Sequence, residues 1–203
     1  MTLRSLLRRA RQIAPAVTAI ILVTIATGCS AGCSGSISIG HEKTGGTYSD
    51  HGVSFTIPDG WKRLSDLTVQ TKTGNEIWSE GFAPASGYDL VGVTAYATKM
   101  VITPKNAAKN APQIAATMRN LFAAAGGSVL GRPTVTSMRG MAGYRFATTY
   151  PGQNGETLDS RLLLLWNGHT EYYFNCQHRT KNSSKSAEVE RGCRTIENSF
   201  KLG

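Results

Sequence analysis

The sequence predicts an α+β fold, an antiparallel β-sheet flanked by helices, and three observations predict it. Thr157 to Asn175 (TLDSRLLLLWNGHTEYYFN) sets two β-prone runs on either side of Asn167-Gly168, a strong short-range hairpin signal. Between Pro104 and Gly127 the apolar residues recur at three- and four-residue steps, which makes one helix face. Ala187 to Phe200 repeats that spacing with Val189, Cys193, Ile196 and Phe200, a second helix packed on the sheet. One sheet with two helices is a layered α+β architecture.

Val53 to Pro58 alternates as VSFTIP, a first strand with Val53, Phe55 and Ile57 on one face. Pro58 suits a strand end, Asp59-Gly60 turns the chain, and Trp61 begins a return run. Leu64, Leu67 and Val69 continue it with a mixed pattern, and Thr71 to Asn75 is a polar turn. Glu76 to Phe82 is a short strand carrying Trp78, and Asp89 to Met100 is a strand with a central character. In the first helix Ala111, Ile114, Ala115, Met118, Leu121, Phe122 and Ala125 share a face. Asn110 is the expected cap, with Pro112 in the first turn, because proline clashes inside a continuous helix. Gly126-Gly127 supplies the stop. Pro133 to Ser137 is a short strand, Arg139 to Gly143 a turn, and Tyr144 to Tyr150 another strand. In the hairpin, Leu162, Leu164 and Trp166 share one face and Leu163 and Leu165 the other, so both faces are covered. Beyond the turn, Tyr172 and Phe174 face one way and Tyr173 the other. Lys181 to Ser186 reads as an exposed loop before the final helix.

The N-terminus carries the sharpest signal. Met1 to Arg11 is short and basic, and Ile13 to Ala26 is almost wholly apolar. Small residues follow, the layout of an export signal. The apolar run is shorter than the roughly 20 residues a comfortable span needs, and the competing reading is a short uncleaved anchor. A cysteine directly after Thr27-Gly28 makes the segment resemble a bacterial lipoprotein signal. The resemblance implies that residues 1–28 are removed and that Cys29 receives a thioether-linked diacylglycerol. Ala26 departs from the leucine usual in such signals, and Cys33, in SAGC, is a second candidate acceptor. Cys29 is preferred because it abuts the apolar run. Two or more acyl chains hold firmly where one holds marginally, so the expected location is the extracytoplasmic face of the cell membrane. Arg8-Arg9 lacks the surroundings of a twin-arginine signal. Residues 29–49, rich in Gly, Ser and Thr, are read as a flexible tether to one globular domain over 50–203. His41 in that tether reads as a solvated residue.

Of 203 residues 40% are hydrophobic, enough for a substantial core, and the net charge is +9. Four of the arginines lie in the first 28 residues, leaving 18 basic against 13 acidic positions beyond them. No basic run interleaved with aromatics occurs, so nucleic-acid binding is not indicated.

Cys176 and Cys193 are the two cysteines past the tether, and an exported domain permits a disulfide between them. The alternative joins Cys176, His178 and Cys193 as metal ligands or as a thiol–histidine site. It lacks a fourth ligand at convincing spacing and a base shown to aim at a thiol. His51 and His169 read as residues of the domain edge and surface. No Walker loop, dinucleotide fingerprint, HExxH or GxSxG is present. Glu156 and Asp159 are a carboxylate pair of a kind common at strand ends. Trp61, Trp78, Tyr88, Tyr96 and Trp166 are the candidate lining of an apolar ligand groove, the competing reading being core packing. No catalytic residue, metal ligand or cofactor is assigned.

The order of elements adds a family resemblance. GVSFTIPDGWKRL, with Val53, Phe55, Pro58, Gly60 and Trp61, resembles the opening hairpin of PsbP-like or Mog1-like domains, which in bacteria include LpqN-type lipoproteins. The helix at 112–125, VTSMRGMAGYRFATTY and the closing CRTIENSFKL are similar to later elements of that family, over roughly residues 50 to 202. The resemblance implies an α/β/α sandwich around an antiparallel sheet and accessory, scaffold or partner-binding roles without a shared catalytic constellation. The leading expectation is a membrane-anchored accessory module that binds an envelope protein or an apolar small molecule. A small extracytoplasmic hydrolase or hydrophobic-ligand carrier using the aromatic groove, and a purely structural envelope lipoprotein, are the alternatives.

Overall fold

The computed structural model describes residues 45–64, 75–84, 89–152, 155–180 and 183–203. The expected export segment, Cys29, Cys33, His41, Leu67, Val69 and Tyr88 lie outside the described residues. In chain order the elements are β1 (Gly46–Asp50), β2 (Val53–Ile57), β3 (Lys62–Arg63), β4 (Glu76–Ala83), β5 (Leu90–Ala97) and α1 (Ala107–Ala124). They continue with β6 (Ser128–Met138), β7 (Met141–Pro151), β8 (Thr157–Asn167), β9 (Thr170–Arg179), α2 (Ser183–Ser199) and β10 (Lys201–Leu202). The order β3-β4-β5-β9-β8-β7-β6 makes a seven-stranded antiparallel sheet, and β1-β2-β10 makes a small second one. The protein is an α+β sandwich of antiparallel sheet and flanking helices.

The hairpin of β8 and β9 lies at the middle of the large sheet, and its leucines explain why. Successive side chains point to opposite faces, so a run of apolar residues needs cover on both. Leu162, Leu164, Trp166 and Tyr173 join a core with Ile114, Ala115, Met118 and Phe122 of α1. Leu163, Leu165, Tyr172 and Phe174 join a second core with Val189, Cys193, Ile196 and Phe200 at α2 and with Val53 and Phe55 of the small sheet. Each such side chain, fully buried, stabilises by roughly 1.5–3 kcal/mol. The hairpin register pairs Asn167 with Thr170. The turn residues are therefore Gly168 and His169, one position later than the Asn167-Gly168 expectation. Gly168 has φ +58° while His169 is not in the positive-φ region, the arrangement that places glycine first in a tight hairpin turn.

Several boundaries differ from the sequence expectation. The end of the expected tether is a strand: β1 pairs with β2 from Gly46 opposite Ile57 to Asp50 opposite Val53, and buries Tyr48 against Phe55. Helix α1 begins before Pro112. Asn106, not Asn110, precedes it, and proline occupies the sixth helical position. The first turn is held from outside: Asn106 Oδ1 accepts from the Thr103 N–H at 2.8 Å, and the Tyr144 hydroxyl donates to the Ala107 carbonyl at 2.7 Å. Tertiary anchoring of this kind offsets the hydrogen bond that proline cannot make. At the other end, Gly126 has φ +75°, its N–H donates to Ala123, and the Gly127 N–H donates to Phe122, a Schellman stop. Arg139 and Gly140, both at positive φ, form a two-residue turn, so β6 and β7 are longer than the short strands expected. The last residues, Lys201 and Leu202, leave α2 and pair with β2.

Candidate functional site

The face of the large sheet beneath α1 carries a polar stripe on β9. Glu171, Tyr173, Asn175 and Gln177 alternate along one side of that strand, and all four are buried. Two of them are answered locally. Gln177 Oε1 accepts from the Tyr150 hydroxyl, Asn175 Oδ1 accepts from the Ser160 hydroxyl, and Asn175 Nδ2 donates to Gln177 Oε1 at 3.4 Å. The stripe is closed at this end by side chains of β7 and β8.

The other end of the stripe, next to the hairpin turn, is different. Glu171 lies directly opposite Tyr96 of β5 on one side and opposite Trp166 of β8 on the other. Glu76 of β4 is opposite Tyr96, so Glu76, Tyr96, Glu171 and Trp166 form one row across four strands. Directly opposed residues have Cβ atoms about 4.5–5.5 Å apart, within reach of each other's side chains. Tyr173 stands two residues along on the same face. The Trp166 indole N–H and the Tyr173 hydroxyl are buried with no hydrogen-bond partner among the described residues. The Tyr96 hydroxyl is buried with the Thr94 side chain beside it. Glu171 is 5% exposed. Loss of hydration pushes its carboxyl up to about 8, and no basic side chain counters the shift. Burial also raises Glu76 and drives the Tyr96 and Tyr173 phenols upward, with the Glu171 carboxyl adding to both tyrosine shifts.

Backbone links fix this end of the sheet. The Thr98 N–H donates to the His169 carbonyl at 2.8 Å, His169 Nδ1 lies 3.1 Å from the Thr98 carbonyl, and the Ala97 N–H donates to Asn75 at 2.7 Å. His169 is thus a turn residue bonded to β5's exit. Gly92 lies opposite Asn175, and a Cβ built there would make an ordinary van der Waals contact with the Asn175 Cβ, at 3.9 Å.

The aromatic set expected to line one groove is divided by the sheet. Tyr96 and Trp166 flank Glu171 in the α1 core, whereas Trp61 and Trp78 are buried in the α2 core on the opposite face. Trp61 packs on α2 at Gly192, where any Cβ would overlap its indole ring. Trp78 stacks with His51 at 5.4 Å and lies 6.4 Å from Tyr172. A single groove lined by all of them is therefore not formed, and Tyr88 is outside the described residues. Cys176 and Cys193 are joined in a buried disulfide with Cα atoms 5.9 Å apart, which removes both thiols from the metal and thiol–histidine alternatives. Glu156 is ion-paired with Arg179 at 3.2 Å, and Asp159 sits opposite His178. Among the described residues, no group of three or more His, Cys, Asp and Glu is placed to hold a metal ion.

Glu171 carries no motif and escapes sequence reasoning. Its strand reads Glu171, Tyr173, Asn175, Gln177 on alternate positions, a pattern that ordinarily marks a solvent-facing side. The available signal is the opposite strand: a polar alternation paired against Leu162, Leu164 and Trp166 belongs to a covered face.

Among solved structures, the chain is similar to cyanobacterial PsbP from Synechocystis sp. PCC 6803, with 17% identity over 85% of this chain and 100% of that one and a TM-score of 0.51. LpqN of Mycobacterium tuberculosis, described as involved in cell envelope biogenesis, matches at 15% identity over 78% of this chain and 89% of that one, with a TM-score of 0.45. A structure from Bacteroides thetaiotaomicron matches at 12% identity and a TM-score of 0.47 over 80% of this chain, which spans about half of that protein, 49%. No family model matches the chain, and no curated protein matches it. The fold is PsbP-like.

Proposed function

We propose that this protein is a lipid-anchored, extracytoplasmic accessory module of the cell envelope whose folded domain binds a small ligand on the α1 face of its large sheet. One observation carries the binding role: the Trp166 indole N–H and the Tyr173 hydroxyl are buried without a hydrogen-bond partner among the described residues, beside the buried Glu171, which lies opposite Trp166 in the sheet. A buried donor or acceptor left without a partner costs about 1–3 kcal/mol. Several such groups on adjacent strands are costly to the fold alone and useful to a bound molecule. The exported setting is supported by the leader-like N-terminus with Cys29 at its edge and by the Cys176–Cys193 bond, a linkage favoured in oxidising compartments. Among the described residues no helix is long and apolar enough to cross a membrane; in this reading the anchor is a lipid on Cys29, at the edge of the apolar run.

The test is native mass spectrometry of the full chain extracted from host membranes in mild detergent. A small-molecule adduct is expected on the wild type. It is expected to fall in the double variant Trp166→Phe, Tyr173→Phe, which removes the two orphaned donors and keeps an aromatic ring at each position. A wild-type spectrum with no adduct would end the binding role.

A further inference from the structure

The Glu171 row specifies more than the presence of a ligand. Its polar atoms are of two kinds. Trp166 Nε1 can only donate, so a molecule satisfying it must offer an acceptor. Glu171, once ionised, can only accept, and no arginine, lysine or histidine pairs with it among the described residues. A carboxylate whose neighbours by strand register are Tyr96, Trp166 and, two residues along, Tyr173 is a setting for an organic cation, because aromatic faces attract positive charge within about 6 Å. A metal ion is a poor fit, since it needs a larger set of hard ligands than this row provides. Trp166 and Glu171 are directly opposed residues of neighbouring strands, so a ligand that reaches both is small, with its two groups a few bonds apart. The half-buried Glu76 stands at the outer end of the same row, adding negative charge on the approach from β4.

We propose that Glu171, Trp166 and Tyr173 form a site for a small protonated amine that carries a hydrogen-bond acceptor a few bonds from its nitrogen. The ammonium lies against Glu171 and the aromatic rings, and the acceptor takes the Trp166 N–H and the Tyr173 O–H. This assignment rests on the binding role proposed above and names the chemical class of the ligand. No covalent step is involved.

The experiment is a titration of the full, membrane-extracted chain followed through the Trp166 indole N–H cross-peak in nitrogen-15 NMR spectra, identified by its loss in Trp166→Phe. The probes are 2-aminoethanol, propylamine, which lacks the acceptor, and 1-propanol, which lacks the charge. Saturable movement of the peak by 2-aminoethanol is expected, with each of the other two weaker by about tenfold, the weight of one charged or buried hydrogen bond. Glu171→Gln should weaken 2-aminoethanol by about tenfold or more and leave 1-propanol unchanged. In Trp166→Phe, followed by nearby backbone peaks, 2-aminoethanol should lose its advantage over propylamine. Equal binding of 1-propanol, indifferent to Glu171→Gln, would overturn the cationic assignment while leaving a binding site. Probes that move nothing would overturn it too, and the adduct in the native spectrum then decides the binding role separately: present, that role stands; absent, buried waters occupy the row and both fail.

Discussion

Two buried glutamates show opposite solutions to the same problem. Glu197 lies in the last turn of α2, turned toward the sheet, and its carboxylate accepts from Arg145 and Arg161 at 2.8 Å each. Removing that charge leaves two partly buried guanidinium groups facing each other. Glu197→Gln is therefore expected to cost about 2 kcal/mol in urea unfolding, while Glu190→Gln, at a more exposed pair with Arg161, costs about 0.5 kcal/mol. Glu171 has no such partners among the described residues, and burial raises its folded value to about 8 against an ordinary 4.5. Between these values the unfolded chain sheds the proton and the native chain retains it. Stability from this residue is then full below pH 4.5, falls by up to about 1.4 kcal/mol per pH unit as pH rises, and levels off above 8. Glu171→Gln should accordingly gain stability over wild type at pH 8 relative to pH 5, measured by denaturant unfolding at both. An equal difference at the two pH values would count against a neutral, desolvated carboxyl at this position.

At the scale of elements, α2 is fastened to the sheet by three devices with different physics. The disulfide joins β9 to its middle, and Cys176→Ala with Cys193→Ala should lower stability by about 3 kcal/mol in the chain-entropy account, with reductant lowering the unfolding midpoint of the wild type and not of the variant. Gly192 lets the helix backbone lie on the Trp61 ring, so Gly192→Ala should lift α2 from that contact, with a loss of about 2 kcal/mol and increased fluorescence quenching of Trp61. Arg139, in the β6–β7 turn, donates to the Asn198 carbonyl at 2.6 Å and holds the helix end. One edge of the sheet is β6, and Gly131, at φ +71°, and Pro133 interrupt its ladder between Leu130 and Thr134. A strand that bends and lacks a donor is a poor template for a second chain, which blunts the edge despite the exposed Leu130 and Val135.

For the whole molecule, the proposed role depends on the chain being held at a membrane by Cys29. Cys29→Ser should move the protein from the membrane fraction to the soluble fraction of fractionated cells and remove the lipid from its intact mass. If Cys33 is the acceptor, that variant stays on the membrane and Cys33→Ser leaves it. The strand β1 begins at Gly46, so the stretch between Cys29 and the folded domain is a few residues shorter than the expected tether. Tyr48, at its centre, carries a hydroxyl donating to Glu80 at 3.2 Å, and Arg63 closes the same carboxylate. That buried contact is what brings a Gly- and Ser-rich stretch into a sheet.

The architecture was legible because it is written in local chemistry. Periods of two and of three to four residues mark strands and helices, a glycine near 168 marks the hairpin, and leucines on both faces of β8 demand two layers of cover. What composition and spacing left open were events between distant residues. Pro112 lies inside a helix because Tyr144, on another strand, supports the first turn. Trp61 and Trp78 part from Tyr96 and Trp166 because strand register, not sequence distance, sets which face of the sheet each occupies. The sequence by itself determined the α+β layers and the export-like leader. Only the tertiary structure decided that Glu171 is buried, since a polar alternation reads the same whether water or a helix lies over it, and desolvation is set by what the rest of the chain packs on top.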